Sequence, residues 1–536
     1  MSAADPRAPD AAVLIVGCGP VGMTLANLLG SHGVPTLVLE KNDGLWDHPR
    51  AVGTDCSSLR AWQAAGLAGR LLPDMTPMGP AGLGMVYVDP RGRPFLEVRP
   101  APCEHGFAFG YGLIQPLVDR VLLDGLGRFE CVAVRFGHRV ESVAEDAVGM
   151  RVRGRRIDGR RFEVAADYVI ACDGGASPVR RQLGVRMLGS DYHRRWLVLD
   201  TLDETAAADD GARDVLIRCD PQRPSVSVPR RHGHRRFEFL ARPGESEAEL
   251  ESPETIRRLL GRHVDPDRIR VIRKTTHAFK AKVAERFRIG RVLLAGDAAH
   301  VTPPFAAQGL GCGIRDAFNL AWKLALVTRG GASPSLLDTY EVERRPHDRA
   351  SVKLAVRLGW LMMPRSRPRA ALTQGLLRGL QQLPACRRYL HEGGPKPPPR
   401  YRRGFLAPGG RARGRELPQP EVVDVSGRRR RLDALLGRGF ALVGFGVDAA
   451  GCLPPAQVAR WRSYGTRFVG VLRDGRARGE EQVVDVERAF RGRWEHVWGR
   501  CLLVRPDRFV AADVAPDRLA DALTELERQL AGRSAA

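Results

Sequence analysis

The 536-residue sequence contains no run that approaches the roughly 20 uninterrupted apolar residues needed to cross a bilayer. The apolar stretch near its start follows an acidic, proline-containing leader and runs into glycines, so it lacks the positive region and cleavage site of a secretory signal. The ten cysteines form no CxxC pair and no Cys/His spacing typical of a zinc site. These absences predict a cytoplasmic protein with no membrane partner, no metal and reduced, mostly buried thiols.

The formal net charge of +23 raises the question of a nucleic-acid partner. Arginine far outnumbers lysine and is spread along the whole chain, as a GC-rich genome would produce, and no basic cluster dominates. Segments such as RRIDGRR and GRRRRL are typical of solvated turns. We therefore predict no nucleic-acid partner, although the charge is compatible with attraction of an anionic substrate or cofactor.

The order of hydrophobic patterns predicts an α/β fold. Three strand-turn-helix units lie within residues 1–330, and short β-prone runs in 186–284 predict an inserted β-sheet. The pattern turns helical from about 332 to 395, and the Gly-, Pro- and Arg-rich segment 393–404 predicts a linker. Strand and helix patterns beyond this linker predict a small, separate α/β domain.

The first strand-turn-helix unit contains a glycine fingerprint. After an apolar strand, Gly17, Gly19 and Gly22 stand in GxGxxG spacing, and a helix follows. Such glycines permit a tight turn, the approach of a pyrophosphate to the backbone, and close packing of helix on strand. Glu40 ends the next strand, where an acidic residue accepts a hydrogen bond from a ribose hydroxyl. The unit predicts a dinucleotide site, NAD or FAD, and the alternative is a glycine turn without a ligand.

Two further strands end in aspartates. Asp173 lies in the Asp-Gly turn of CDGGASPVRR, before a helix whose start is marked by Ser177, and an ordinary strand-to-helix connection is the alternative. Asp297, in LLAGDAAHVTPP, follows an apolar strand and would accept hydrogen bonds from a polyol chain. Leu310 and Gly311 then lead into a helix whose N-terminus would stabilise negative charge on a ligand.

With the GxGxxG, CDGGASPVRR and LLAGDAAHVTPP motifs in this order, the sequence resembles the single-component FAD-dependent aromatic hydroxylases, the p-hydroxybenzoate hydroxylase and phenol hydroxylase family. The likeness covers about residues 11–350 and looks strongest to hydroxylases of 3-(3-hydroxyphenyl)propionate and of polyketides. It implies a Rossmann-type FAD-binding domain (1–185 and 285–395), an inserted β-rich substrate domain (186–284) and a thioredoxin-like C-terminal domain (396–536). Because that last domain lacks CxxC, we expect it to serve packing or homodimer formation rather than dithiol exchange.

The resemblance also implies roles for individual residues. Carried over motif by motif, they are Gly17, Gly19, Gly22 and Glu40 for the ADP half of FAD, Arg50 near the pyrophosphate, Gln115 near the ribityl chain, Asp173 in the DG turn, Asp297 on the ribityl hydroxyls, the backbone N–H groups of Leu310 and Gly311 on the flavin ring, and the Pro303 carbonyl in the active site. The alternatives are a surface arginine at position 50 and a loop or helix-start residue at position 115. For His300 we favour a structural role over that of a catalytic base.

The activity that the resemblance implies is hydroxylation of a phenolic or polyketide aromatic. NADH or NADPH would bind transiently and reduce FAD, and O2 would form a flavin C4a-hydroperoxide that transfers oxygen to an electron-rich ring carbon. The same scaffold can perform epoxidation, Baeyer-Villiger oxidation or dehydrogenation, and a flavin-binding module without turnover is a further alternative. The sequence identifies no residue that activates the substrate.

Overall fold

The computed structural model describes residues 10–48, 50–80, 82–204, 214–364, 366–392 and 399–533. Positions 393–398 of the predicted linker lie outside these residues. In the described remainder of the linker, Tyr401 is buried and its ring stacks on that of Phe509 with the centroids 4.0 Å apart, whereas Arg402 and Arg403 are exposed.

The strands are numbered in chain order. They are β1 (Ala11–Val16), β2 (Thr36–Leu39), β3 (Gly53–Asp55), β4 (Thr76–Met78), β5 (Met85–Val88), β6 (Pro94–Val98), β7 (Gly110–Gly112), β8 (Val132–Arg135), β9 (His138–Glu145), β10 (Met150–Arg156), β11 (Arg161–Ala171), β12 (Met187–Leu202), β13 (Val215–Arg218), β14 (Ser225–Pro229), β15 (His234–Leu240), β16 (Arg270–Ala284), β17 (Arg288–Ile289), β18 (Val292–Leu294), β19 (His300–Val301), β20 (Glu421–Val423), β21 (Arg429–Arg431), β22 (Ala441–Phe445), β23 (Arg467–Leu472), β24 (Gln482–Val484), β25 (Cys501–Val504) and β26 (Val510–Val514).

The helices are numbered in the same way. They are α1 (Pro20–Ser31), α2 (Cys56–Ala64), α3 (Ala68–Leu71), α4 (Gln115–Leu126), α5 (Pro178–Gln182), α6 (Glu247–Leu250), α7 (Pro253–Leu260), α8 (Gly309–Thr328), α9 (Asp338–Met362), α10 (Arg367–Leu380), α11 (Pro384–His391), α12 (Leu432–Leu436), α13 (Pro455–Ser463) and α14 (Leu519–Leu530). Within the described ranges, no helix combines the length and the apolarity that a membrane span requires.

The first sheet brings the three sequence motifs to one edge. Its strands β18, β11, β1, β2 and β8 are mutually parallel in that order. β1 is an apolar run whose residues from Val13 to Ile15 are completely buried, as expected of a strand covered on both faces. Parallel strands end at the same edge, so the turns that contain Gly17, Glu40, Asp173 and Asp297 are neighbours.

The second sheet has the strand order β19-β16-β12-β15-β14-β13-β5-β6. Strands β5 and β6 come from residues 85–98, so this sheet extends beyond the predicted 186–284 insertion. Side chains alternate along β15: Phe237 and Phe239 pack against the α7 residues Ile256 and Leu259, whereas the side chains between them face the opposite side.

The third sheet, with the order β21-β20-β24-β23-β22-β25-β26, belongs to the C-terminal part of the chain. All residues of its interior strand β22 are buried. The strands and helices predicted there are present, including α13 and α14.

Buried ion pairs join the C-terminal part to α8 and α9. Glu343 of α9 accepts hydrogen bonds from Lys323 of α8 at 2.7 Å and from Arg505 at 2.7 and 2.8 Å, and all three side chains are fully buried. Burial alone would raise the pKa of Glu343, but the charges of Arg505 and Lys323 outweigh it and lower the pKa to about 2. The carboxylate therefore stays ionised inside the protein, held by two cations.

One cysteine prediction is wrong. Cys56, at the start of α2, and Cys103 form a disulfide across a sequence separation of 47, with their Cα atoms 6.5 Å apart. The remaining eight cysteines are free, as predicted. Sequence spacing could not reveal the pair, because only the folded path of the loop before β7 brings Cys103 to α2.

Candidate functional site

A cavity of about 500 Å³, which we call the polar cleft, runs along the edge of the first sheet where the motifs meet. The sequence-predicted residues on its wall are Gly19, Arg50, Gln115, Asp297 and Leu310. The second sheet closes the opposite side with Arg236, Glu238, Arg273, His277 and Lys280. The wall is thus rich in cations, which favours an anionic ligand.

The three fingerprint glycines differ in what a larger side chain would meet at each position. Gly17 has φ +107°, and a Cβ atom on it would lie 2.5 Å from the Cys172 carbonyl oxygen. A Cβ atom on Gly22 would lie 2.2 Å from the Gly17 carbonyl oxygen. A Cβ atom on Gly19 would meet no described atom within 4 Å, and Gly19 faces the polar cleft. Gly17 and Gly22 are therefore required by the fold itself, whereas the fold around Gly19 leaves space on the side of the polar cleft.

Two helices begin at the polar cleft without a capping side chain. α1 starts after Gly19 and α8 starts after Gln308, and neither of these preceding residues caps the first backbone N–H groups of its helix with a side chain. Gly309 and Leu310, the first residues of α8, line the cleft. Unsatisfied N–H groups and the positive end of each helix dipole thus face the same cavity, an arrangement that binds phosphate and other anionic groups.

Gln115 holds the backbone beside Arg50. Its Oε1 accepts hydrogen bonds from the Arg50 N–H at 2.9 Å and the Ala51 N–H at 2.7 Å, and its Nε2 donates to Asp119 at 3.1 Å. Burial raises the pKa of Asp119 to about 7, partly countered by Gln115 and Arg50. The Arg50 guanidinium lines the cleft and lies 5.3 Å from the centre of the Trp46 ring. Sequence reasoning found Gln115 but not Asp119.

Asp297 lies in a 3-10 helix, Gly296–Ala298, directly after β18. Its side chain is accessible because it faces the open cleft, yet protein surrounds the carboxyl on the other sides. This partial burial raises the pKa of Asp297, and the charges of His300 and Arg50 counter the rise. A hydrogen-bonding carboxyl group therefore lies on the wall beside Arg50.

The other two predicted carboxylates stabilise turns. Glu40 accepts hydrogen bonds from the Cys18 N–H at 2.9 Å and the Asn42 N–H at 3.0 Å. Asp173 accepts a hydrogen bond from the Val179 N–H at 3.2 Å, at the start of α5. Both therefore hold the loops at the sheet edge in place, and each carboxylate has further lone pairs for a ligand.

Arg180, which sequence reasoning missed, connects two of the motifs. Its guanidinium donates to the Ala298 carbonyl at 3.0 Å and to the Gly175 carbonyl at 3.1 Å. It thereby joins the turn after β11 to the turn that contains Asp297. The only sequence signal was its place in CDGGASPVRR.

His300 is buried in an ion cluster behind the Asp297 turn. Its Nε2 lies 2.7 Å from Asp316, and Arg344 donates to Asp316 at 2.8 Å and to Asp348 at 2.6 Å. His300, Asp316 and Asp348 are close enough to share a metal ion, but the Arg344 guanidinium already bridges the two carboxylates. Burial would lower the pKa of His300, but Asp348 and Asp316 outweigh it and raise the pKa to about 9.

This cluster predicts an alkaline loss of stability. Because the pKa of folded His300 is about 9, above its usual 6.5, the stabilisation is complete below pH 6.5 and is lost as the pH rises through 9. The expected loss is on the order of 3 kcal/mol. Melting temperatures of wild type and His300→Asn between pH 6 and 9.5 test this. We expect the wild type to show the steeper decline, and equal slopes would contradict the assignment.

A second cavity of about 210 Å³, which we call the apolar cavity, adjoins the polar cleft. Its mainly hydrophobic wall comes from the second sheet, the loops around β4 and β7, and α9 and α11; it includes Met78, Leu83, Met85, Tyr87, Leu96, Phe109, Tyr111, Val215, Ile217, Val226, Val228, Leu354, Leu358, Met362 and Leu390. Val52, Gly53, Glu238, Pro304 and Ala307 line both cavities. An apolar chamber therefore lies directly beside the polar cleft, as expected of a site for an aromatic ligand.

The loop between the two cavities contains the Pro-Pro pair. Pro304 begins a 3-10 helix, Pro304–Ala306, and lines both cavities. Pro303 is buried directly before it. Ala307 then has φ +49°, which turns the chain toward α8. The loop thus forms part of the boundary between the cavities.

Comparisons with known proteins agree with this arrangement. Residues 10–355 match the family described as FAD binding domain, and residues 414–529 match the HcaD C-terminal domain. The 3-(3-hydroxy-phenyl)propionate/3-hydroxycinnamic acid hydroxylase of Klebsiella pneumoniae strain 342 is 41% identical over 532 residues, covering 97% of this chain and 95% of the relative.

Two solved structures extend the comparison. The anhydrotetracycline hydroxylase OxyS from Streptomyces rimosus is 27% identical with a TM-score of 0.76, covering 98% of this chain and 100% of its own. Aklavinone-11 hydroxylase, solved with FAD and aklavinone, is 25% identical with a TM-score of 0.78 and the same coverage of both chains.

Proposed function

Because this chain belongs to the FAD-dependent aromatic hydroxylases, we propose that it hydroxylates a phenolic or polyketide aromatic that binds in the apolar cavity. The observation that carries the proposal is the wall shared by the two cavities. A flavin in the polar cleft and an aromatic ring in the apolar cavity would lie next to each other at this shared wall.

The polar cleft fits FAD. Gly19 leaves space at a helix start, and the uncapped N-termini of α1 and α8 offer N–H groups to anionic parts of the cofactor. Arg50 would neutralise phosphate charge, and Asp297 would accept hydrogen bonds from ribityl hydroxyls. When bound, FAD supplies two-electron exchange with NADH or NADPH and reaction with O2. The protein orients the ring, excludes water and stabilises negative charge on the flavin.

The remaining predicted roles belong to this proposal. Glu40 would accept a hydrogen bond from a ribose hydroxyl, and Gln115 would shape the ribityl region through the backbone N–H groups that it binds. Leu310 and Gly311 would donate to the flavin ring, and the Pro303 carbonyl would face the substrate. Asp173 would act indirectly by fixing the turn next to the cleft.

Domain assignments follow the same reasoning. We assign residues 1–185 and 285–395 to a Rossmann-type FAD-binding domain and 186–284 to an inserted substrate domain, with β5 and β6 joining the sheet of the latter. We assign residues 396–536 to a thioredoxin-like domain. The parallel pairing of β22 with β23 and the antiparallel pairing of β22 with β25 support this. Its buried contacts to α8 and α9 support a packing role.

The hydrophobic lining of the apolar cavity and the aromatic substrates named for the relatives support an aromatic substrate. A panel of 3-hydroxycinnamate, 3-(3-hydroxyphenyl)propionate and a polycyclic phenol tests it with the FAD-loaded protein. We expect at least one phenol to stimulate NADH or NADPH oxidation, with hydroxylated product formed in place of hydrogen peroxide. The methyl ether of the same phenol is the matched control. If FAD is reduced but every phenol yields only peroxide, the proposal is wrong.

A further inference from the structure

The boundary between the two cavities contains one carboxyl group, that of Glu238. It belongs to β15, where it lies opposite Val198 of β12 and Val226 of β14. Only 8% of the residue is exposed. Because side chains alternate along β15, Glu238 faces away from the packed face of Phe237 and Phe239 and lines both the polar cleft and the apolar cavity.

The surroundings leave the Glu238 carboxyl without a donor. No hydrogen bond to it occurs among the described residues, and its charged neighbours act only at a distance. The nearby Asp200 takes the direct contacts instead, accepting from Arg230 at 2.8 Å and from Arg236 at 2.8 and 2.9 Å. The carboxyl borders both cavities and no group in the described part of the chain donates to it, so its oxygens are available to accept a hydrogen bond from a bound ligand.

The other polar groups in the described lining of the apolar cavity are poor proton acceptors. The Tyr111 hydroxyl already accepts a hydrogen bond from the Ala108 N–H at 2.9 Å, and burial raises the pKa of both Tyr87 and Tyr111. The Gln308 side-chain oxygen accepts from Arg315 at 3.3 Å, and an amide does not act as a base at neutral pH. His277 lines the polar cleft but is absent from the lining of the apolar cavity.

We propose that Glu238 accepts the proton of the substrate's phenolic hydroxyl at the boundary between the polar cleft and the apolar cavity. This rests on the proposed function, which places a phenol in that cavity. The O–H bond of the phenol breaks, the proton joins a carboxylate oxygen of Glu238, and the electron pair stays on the phenolate oxygen. Electron density therefore rises at the ortho and para ring carbons, which are the positions that attack an electrophilic oxygen.

The electrostatics suit this transfer. Burial and the charge of Asp200 raise the pKa of Glu238, and Arg236 and Arg230 counter only part of the rise. A carboxyl with a raised pKa is a stronger base when ionised, because its pKa lies closer to that of a simple phenol, which is about 10. Transfer moves one negative charge from Glu238 to the substrate without creating a second one, while Arg236 and Arg273 stay on the adjoining wall.

The test compares Glu238→Gln with the wild-type holoenzyme. Glutamine keeps the shape but cannot take the proton. Titration of oxidised holoenzyme with the phenol is expected to show phenolate absorption at pH 7 in the wild type and neutral phenol in Glu238→Gln. Hydroxylation is expected to fall by about 10²- to 10⁴-fold, the usual contribution of a general base. Glu238→Asp is expected to restore part of the phenolate signal.

The matched control is Glu97→Gln. Glu97 lies on β6 between Leu96 and Val98, both of which line the apolar cavity, and it is absent from that lining. Its substitution is expected to leave the phenolate signal and the rate unchanged. The flavin spectrum of each variant shows that the site has folded. The methyl ether of the phenol should give no ionisation signal with any protein.

The outcomes separate this proposal from the proposed function. A Glu238→Gln holoenzyme that binds phenolate and hydroxylates at the wild-type rate across pH 6 to 9 would overturn the role of Glu238 alone. Phenolate formation that depends on Glu238 without any hydroxylated product would support the role of Glu238 and overturn the hydroxylase proposal. Failure of every phenol to bind would overturn both.

Discussion

Replacing Gly19 with valine is expected to weaken FAD binding by about 100-fold while leaving the apoprotein as stable as the wild type. A Cβ atom at this position meets no described atom within 4 Å, and the φ and ψ angles of −84° and 177° suit any residue. The added methyl groups would instead enter the space where the cofactor approaches the helix start. Overlap of this kind costs about 3 kcal/mol, which corresponds to about a 100-fold loss of affinity.

Titration of apoprotein with FAD and thermal melting of the same apoprotein measure the two effects separately. Gly69→Val is the matched control, because Gly69 also has no atom within 4 Å but lies exposed in α3. Gly22→Val gives the contrasting result: its Cβ overlaps the Gly17 carbonyl, so the apoprotein itself should be destabilised. Unchanged FAD affinity in Gly19→Val would show that the cofactor does not pass this glycine.

Replacing Glu343 with alanine is expected to destabilise the protein by about 3–5 kcal/mol. The substitution leaves the fully buried Lys323 and Arg505 cations without their shared partner, and an uncompensated buried charge is costly. Lys323 belongs to α8 and Arg505 to the C-terminal part, and Glu343 binds both. Loss of the Glu343 carboxylate should therefore first separate the C-terminal part from α8. The measurement is the melting temperature, together with limited proteolysis of the C-terminal part.

The control for this substitution is Asp267→Ala. Asp267 pairs with Arg257 at 2.6 Å, which is shorter than the distance between Lys323 and Glu343. The side chains of Asp267 and Arg257 are both exposed, however. Exposed ion pairs contribute little to stability, so Asp267→Ala should melt close to the wild type. Equal melting temperatures for Glu343→Ala and the wild type would mean that the buried pairs do not hold the C-terminal part.

Local signals in the sequence were sufficient for much of the fold. Apolar runs followed by glycine or aspartate predicted β1, β11 and β18. Because these strands pair in parallel, their C-terminal ends lie at one edge of the sheet regardless of the length or path of the connecting loops. The glycine fingerprint was readable because backbone geometry leaves few other residues for Gly17. The strands of the C-terminal sheet were equally visible from their apolar runs.

Contacts between distant residues could not be read in the same way. Asp119 and Arg180 support the site through hydrogen bonds to side chains or carbonyls that only the tertiary fold brings near. Glu238 stands in the β-prone run RFEFLA, where a charged residue on a strand usually indicates a solvated face. Its significance depends on which face of β15 borders the cavities, and β5 and β6 complete that wall from a remote part of the sequence.

The most direct test of the central claim, that a flavin in the polar cleft oxygenates an aromatic ring in the apolar cavity, is turnover under ¹⁸O₂ with the best phenol of the panel. The account predicts one labelled oxygen atom in each product molecule for each NADH or NADPH consumed, and loss of that product in Gly19→Val. Product without label, as in a dehydrogenation, or label found only in hydrogen peroxide, would contradict it.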